Sequence, residues 1–189
     1  MRYLISVLIT TAAFALSFSL TAAADLGSAY RAVAENPRAG FFQEFQKACR
    51  TSGQNLGLES DASLATATQK LIKSNPPFLA QLYLEVLEKC SDGSGATAAK
   101  QLLGNEVLLA QPKGFLLALA ERKNAFELGA SLVAMENDEY FAVDCGEDHK
   151  CVAGRKAMWA AKSKALSSVS TTPKIKRLQA SLIKTLSAL

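Results

Sequence analysis

The chain has one histidine, His149, one tryptophan, Trp159, and few aromatic residues of any kind, which narrows the chemistry it can host. Any scheme that needs an imidazole must use His149. There is no Cys-x-x-Cys and no Cys-x-x-Cys-His, so neither a thioredoxin-type redox pair nor covalent haem attachment is written here. No glycine-rich phosphate loop occurs. β-Branched, alternating runs are missing as well, while alanine and leucine dominate, so no segment reads as a strand and the expected fold is all-α.

Charge is absent from Leu4 through Ala24, after a short positive start at Met1 and Arg2. The stretch ends in Ala22-Ala23-Ala24 before Asp25, the small-residue pattern that a signal peptidase cuts. About 20 apolar residues could also serve as an uncleaved membrane anchor. The Ala-x-Ala site and the Thr/Ser-softened core favour cleavage. Residues 1–24 are therefore expected to be a secretory signal, and residues 25–189 a single soluble domain of the periplasm or extracellular space. That length suffices for one hydrophobic core. An apolar content of 49% with 20% charged residues argues for a folded globule over a disordered tail.

All four cysteines, Cys49, Cys90, Cys145 and Cys151, fall in the exported part. An even count in an oxidising compartment reads as two disulfides, with three pairings formally open. The favoured set is Cys145–Cys151, closing a short loop, and Cys49–Cys90, tying two helices together.

Prolines punctuate the helices. Asn36-Pro37 and Asn75-Pro76 each set a capping side chain before a proline suited to a first helical turn, and so mark expected helix starts. The stripes that follow are Phe41, Phe42, Phe45, Ala48 and Cys49; Phe78, Leu79, Leu82, Val86 and Cys90; and, after Pro112, Phe115, Leu116, Leu119 and Phe126. Phe41, Phe78 and Phe115 stand two equal steps of 37 apart. Shorter helices at roughly 27–35, 61–73 and 96–110 precede them, so residues 25–135 read as helix pairs with a period among the helix-pair repeats. The expected architecture is a helix-pair bundle of about seven or eight helices, with a HEAT-like α-solenoid as its finer form. An irregular bundle with helices of similar length is the alternative.

Residues 136–151 form an acidic, cysteine-bounded loop holding Glu136, Asp138, Glu139, Asp144, Glu147 and Asp148. Two basic helices follow within 152–189, the last opened by Thr172 and Pro173 with an apolar face of Ile175, Leu178, Leu182, Leu186 and Leu189. Residues 25–151 carry 12 Lys or Arg against 17 Asp or Glu, a net −5, whereas residues 152–189 carry eight cations and no acid. A cationic ending can bind an acidic partner, attract anionic lipid, or lie against the acidic body of its own chain. Lipid contact is the weaker reading, since the final helix has no Trp, Tyr or Phe anchor; nucleic acid is not expected of an exported chain with Trp159 as the sole aromatic in this region.

The chemical motifs are weak. The spacing of His149 with Asp144, Glu147 or Asp148 matches no zinc or calcium signature, and paired cysteines cannot also be ligands, so no metal and no cofactor is expected. Ser94 in Asp92-Gly93-Ser94-Gly95 lacks the hydrolase elbow and reads as an interhelical turn. Glu85 and Glu88 read as a solvated helix face, with Lys89 four residues after Glu85. The leading expectation is an exported, non-enzymatic binding or scaffold protein of the cell envelope that acts through another envelope protein. Its expected contact residues are Glu147, Asp148, His149, Arg155, Lys156, Lys174, Lys176 and Arg177. A periplasmic immunity or inhibitor protein that blocks a toxin enzyme is the second expectation, and an enzyme or apolar-ligand carrier using the His149 loop the third.

Overall fold

The computed structural model describes residues 25–58, 60–136 and 148–189. The expected signal segment, Cys145, Glu147 and most of the acidic loop lie outside them. Among the described residues there are nine helices and no strand. They are α1 (Leu26–Glu35), α2 (Ala39–Thr51), α3 (Ala62–Ser74), α4 (Leu79–Lys89), α5 (Gly93–Gln101, running on through Leu102–Val107 and Leu108–Ala110), α6 (Pro112–Ala120), α7 (Ala125–Val133), α8 (His149–Ser167) and α9 (Pro173–Ser187).

Side-chain caps set several starts. Asp25 accepts from Ser28 N at the head of α1 and Asp61 from Ser63 N at the head of α3, satisfying donors that a first turn leaves open. Pro112 and Pro173 occupy first-turn positions as expected. Asn36 and Asn75 do the opposite of what their Asn-Pro context suggests: each closes the helix before it. Asn75 does so in the left-handed conformation, φ 47°, which asparagine tolerates and which exposes its N–H to Leu71 O. Ser94 lies inside the first turn of α5 instead of an interhelical turn.

The helix expected to run from Pro112 through Phe126 is broken at residues 121–124 into α6 and α7. Arg122 in that break forms an ion pair with Glu88 of α4, Nε to Oε1 2.9 Å, which holds the turn against the bundle. With the break, Phe126 leaves the inner stripe and is 54% exposed. Glu85 also departs from its expected place in solvent: it is buried on α4, with its carboxylate 2.6 Å from the Arg50 guanidinium of α2.

Burial recurs at the period seen in the sequence, though not on the residues that announced it. Phe41 is exposed, Phe78 half-buried and Phe115 fully buried. The next residues carry the register: Phe42, Leu79 and Leu116, then Phe45, Leu82 and Leu119, are all buried in steps of 37. The first helices of the pairs do the same with Tyr30, Ala67 and Gly104 and with Ala34, Leu71 and Leu108. Stacking follows the period only in part. α1 packs on α2 and α3, α2 on α4, and α4 on α6, but α5 packs on α4 and α7 and not closely on α3. The continuous ladder that a HEAT-like solenoid requires is absent from the close helix contacts among the described residues.

Of the two disulfides expected, the described residues hold one complete pair, Cys49–Cys90, joining the last turn of α2 to the end of α4 across 41 residues. The expected Cys145–Cys151 pairing cannot be placed, because Cys145 lies outside the described residues. Near the first bridge, Leu56 N donates to Cys90 O at 2.7 Å, and Asn55 and Asp92 exchange hydrogen bonds, so the α2–α3 loop is pinned to the α4–α5 corner. Deeper in the core the Tyr30 hydroxyl bonds Thr68 Oγ1 at 2.8 Å and the Tyr83 hydroxyl at 2.9 Å, joining α1, α3 and α4. Burial pushes the Tyr30 phenol up to about 12 and that of Tyr83 up as well.

Candidate functional site

α8 is built to present two unlike faces. Asp148 accepts from Lys150 N at 2.9 Å and Cys151 N at 3.3 Å, which fixes the first turn. From there Arg155, Trp159, Lys162 and Leu166 fall at i, i+4, i+7 and i+11, one helical stripe, and this stripe faces the body. It is unusually polar for an inner face. Arg155 Nη2 pairs with Glu136 Oε2 at 3.1 Å. Lys162 is fully buried, and its ammonium donates to Val133 O at 3.1 Å and to Met135 O.

The first carbonyl belongs to the last residue of α7 and the second lies just past its C-cap, Ala134, so Lys162 supplies from a neighbouring helix the cation that a helix C-terminus favours. Asn105, in the π-helical turn of α5, donates to the next carbonyl, Glu136 O, at 3.0 Å. Two side chains from two helices thus clamp residues 133–136. The Asn105 Oδ1 and Trp159 Nε1 atoms are buried without a hydrogen-bond partner among the described residues. Burial lowers the Lys162 ammonium to about 8, with the Glu136 carboxylate opposing that shift.

A lowered lysine has a definite sign in stability. Below about pH 8 both folded and unfolded chains hold the proton, and the cost of burying the charge is fully present. Between about 8 and the unfolded value of 10.5 only the unfolded chain holds it, so stability rises with pH. Relative to Lys162→Met, the wild type is expected to gain about 2 kcal/mol between pH 8 and pH 10, measured by urea unfolding at each pH. A difference that stays flat refutes the buried-charge reading. Above pH 10 the raised phenols of Tyr30 and Tyr83 work the other way, since the unfolded chain ionises first and stability falls.

The opposite face of α8 continues onto α9. Gln179 on α9 donates to Leu166 O at 2.6 Å and Val169 O at 3.0 Å, closing α8 and bringing α9 back along it. Ile175, Leu178, Leu182 and Leu186 bury the inner face of α9 against α6 and α7, while Leu189 stays exposed. The outer positions are His149, Lys150, Ala153, Lys156, Ala157, Ala160, Ala161 and Lys164 on α8, and Lys176, Arg177, Ala180 and Lys184 on α9. All twelve are exposed. Among the described residues the ion pairs take Arg31, Arg50, Arg122 and Arg155, and none takes any of these outer cations.

The residues expected to make contacts therefore divide. Lys156, Lys176, Arg177 and His149 share the outer face of the hairpin; Lys174 lies in the first turn of α9. Asp148 is spent on its cap, Arg155 is turned inward onto Glu136, and Glu147 is outside the described residues. Lys162 belongs to the basic ending, but nothing in the composition marks it as buried. Its place one turn before Leu166 on the inner stripe is the only available signal.

A cleft of about 440 Å3 opens between the heads of α1 and α3 and the α2–α3 loop, lined by Leu26, Leu56 and Leu64. Arg31 crosses it, but its donors are committed to Ser28 Oγ and Ser63 Oγ at 3.0 Å each, with Asp25 and Asp61 at 3.7 and 3.8 Å. Gln54 likewise accepts from Leu26 N. The polar groups there hold the protein to itself. Among the described residues no group of three or more His, Cys, Asp or Glu could hold a metal ion, and no helix is long and apolar enough to cross a membrane. The chain matches no protein-family model, no curated protein and no solved structure.

Proposed function

We propose that this chain is an exported, non-enzymatic binding protein of the cell envelope that acts through protein–protein contact on the outer face of the α8–α9 hairpin. The observation that carries the reading is the set of six exposed cations there, Lys150, Lys156, Lys164, Lys176, Arg177 and Lys184, with no carboxylate of the described chain in ion-pair range. A basic ending that merely rested on its own acidic body would place these side chains opposite body carboxylates. Instead, among the described residues Arg155 alone of the cations in 152–189 makes an ion pair with a body carboxylate, which leaves the outer charges for another molecule. The recurrence of buried positions at 37 residues supports descent of residues 25–135 from a duplicated helix pair, a scaffold type used elsewhere for binding.

Affinity capture from an envelope fraction tests the reading, with the tagged wild type compared against Lys156→Glu/Lys176→Glu/Arg177→Glu. The three positions are exposed, so the fold is expected to be unchanged by circular dichroism. The wild type is expected to retain a partner that the reversed chain loses by tenfold or more, on the order of 1.4 kcal/mol. The same partners in the same amounts on both chains would reject it.

A further inference from the structure

The composition of the outer face narrows the chemistry of what it meets. Across His149 to Ser187 the exposed positions hold cations, His149, five alanines, serines, Thr172 and Pro173, with no carboxylate and no large apolar side chain. α8 and α9 both rest on α6, so their outer faces look away from the same body. Along α8 the cations at 150, 156 and 164 are spaced roughly 9 and 12 Å apart on a helix of about 28 Å. That is an open array, too sparse to converge on one small anion. It suits charges distributed over an extended surface.

We infer that this face docks an acidic surface of a partner protein, one carrying carboxylates spread over a comparable length and offering no large apolar anchor. The inference rests on the proposed binding role and adds the chemistry of the partner. A lipid surface fits the charge but not the rest of the face: stable peripheral attachment needs an inserted apolar group beside the electrostatic attraction, and the exposed residues between the cations are alanines, serines, Thr172 and Pro173. Alanine also leaves no side chain to hold a partner's backbone away, so the long lysines flank whatever settles between them. Five of the six cations are lysines, strongly hydrated point charges that steer encounter more than they anchor it. The contact is therefore fast to form and sensitive to salt.

The test places benzoylphenylalanine in turn at Ala157, Ala160 and Ala180 of the full-length chain, irradiates intact cells, and sequences the adducts by mass spectrometry. The expected product is a protein segment rich in Asp and Glu, reached from at least two of the three positions. The association rate of that protein with the purified chain is expected to fall about tenfold between about 50 and about 300 mM salt. Phospholipid adducts overturn the inference. So do a captured segment without carboxylates, an association rate indifferent to salt, or no adduct from any position while affinity capture still yields the partner. In each of those cases a partner lost on reversing Lys156, Lys176 and Arg177 leaves the binding reading standing. The same partners on both chains remove that reading as well.

Discussion

Gly104→Ala is expected to destabilise the protein by about 3 kcal/mol, whereas Gly40→Ala is expected to stabilise it by about 0.5 kcal/mol. The two glycines are both helical, and the same methyl group is added to each. At Gly104, in the π-helical turn of α5, a Cβ would drive into the carbonyl oxygen of Leu132 on α7. That neighbour is backbone and cannot rotate away, so α5 and α7 must separate. Separation would also pull Asn105 from Glu136 O and loosen the clamp on residues 133–136. At Gly40, near the start of α2, nothing lies within 4 Å of the added carbon, and only the lower entropy of the unfolded chain is felt. Urea unfolding of both variants measures the contrast. Equal and small effects would mean that α5 and α7 do not approach closely enough for the methyl group to matter.

Removing the Cys49–Cys90 bridge by the double change to alanine is expected to cost about 4 kcal/mol, the loop-closure entropy of a cross-link spanning about 40 residues. This is a large share of the roughly 5–15 kcal/mol that holds a typical domain together. The loss should be local in origin. The bridge fixes the end of α4 beside α2, Leu56 N depends on Cys90 O, and Asn55 depends on Asp92, so the α2–α3 loop loosens first. Hydrogen exchange at Leu56 and Leu58 should rise before exchange in α6 or α9. A variant whose unfolding free energy, measured in urea, falls by less than about 1 kcal/mol would show that the bridge decorates an already rigid corner.

Much of the fold is legible in the order of the amino acids. The stripes Phe42, Phe45 and Cys49, Leu79, Leu82 and Val86, and Ile175, Leu178, Leu182 and Leu186 are simple 3.6-residue patterns, and all are buried. The Cys49–Cys90 bridge is the pair left once Cys145 and Cys151 are assigned to a short loop. Other features depend on groups far apart in the chain. Asn75 resembles a cap for the helix after it, because Asn-Pro has that local meaning; Gln111, whose amide reaches Asn75 O at 2.9 Å and Pro76 O at 2.8 Å, is part of the long-range setting in which it ends α3 instead. Glu85 carries a surface signature beside Lys89, yet it is buried, with its carboxylate bonded by Arg50, thirty-five residues earlier.

The candidate site shows the same division. Net charge locates the basic ending but does not separate its outer cations from Arg155 and Lys162. That separation depends on which side of α8 meets residues 133–136, a fact held by Val133 O, Met135 O and Glu136 and not by α8 itself. Asn105 carries no sequence signal at all, because a π-helical turn is a consequence of packing around Gly104 and Leu132.

Export is the premise on which the binding proposal depends, since an oxidising compartment would both form the expected cysteine bridges and supply the proposed envelope partner. Its most direct test is Edman sequencing of the natural protein together with alkylation of unfolded, unreduced material. A first residue of Asp25 and no alkylated cysteine is the expected result. A protein that begins at Met1 with all four cysteines modified would contradict it.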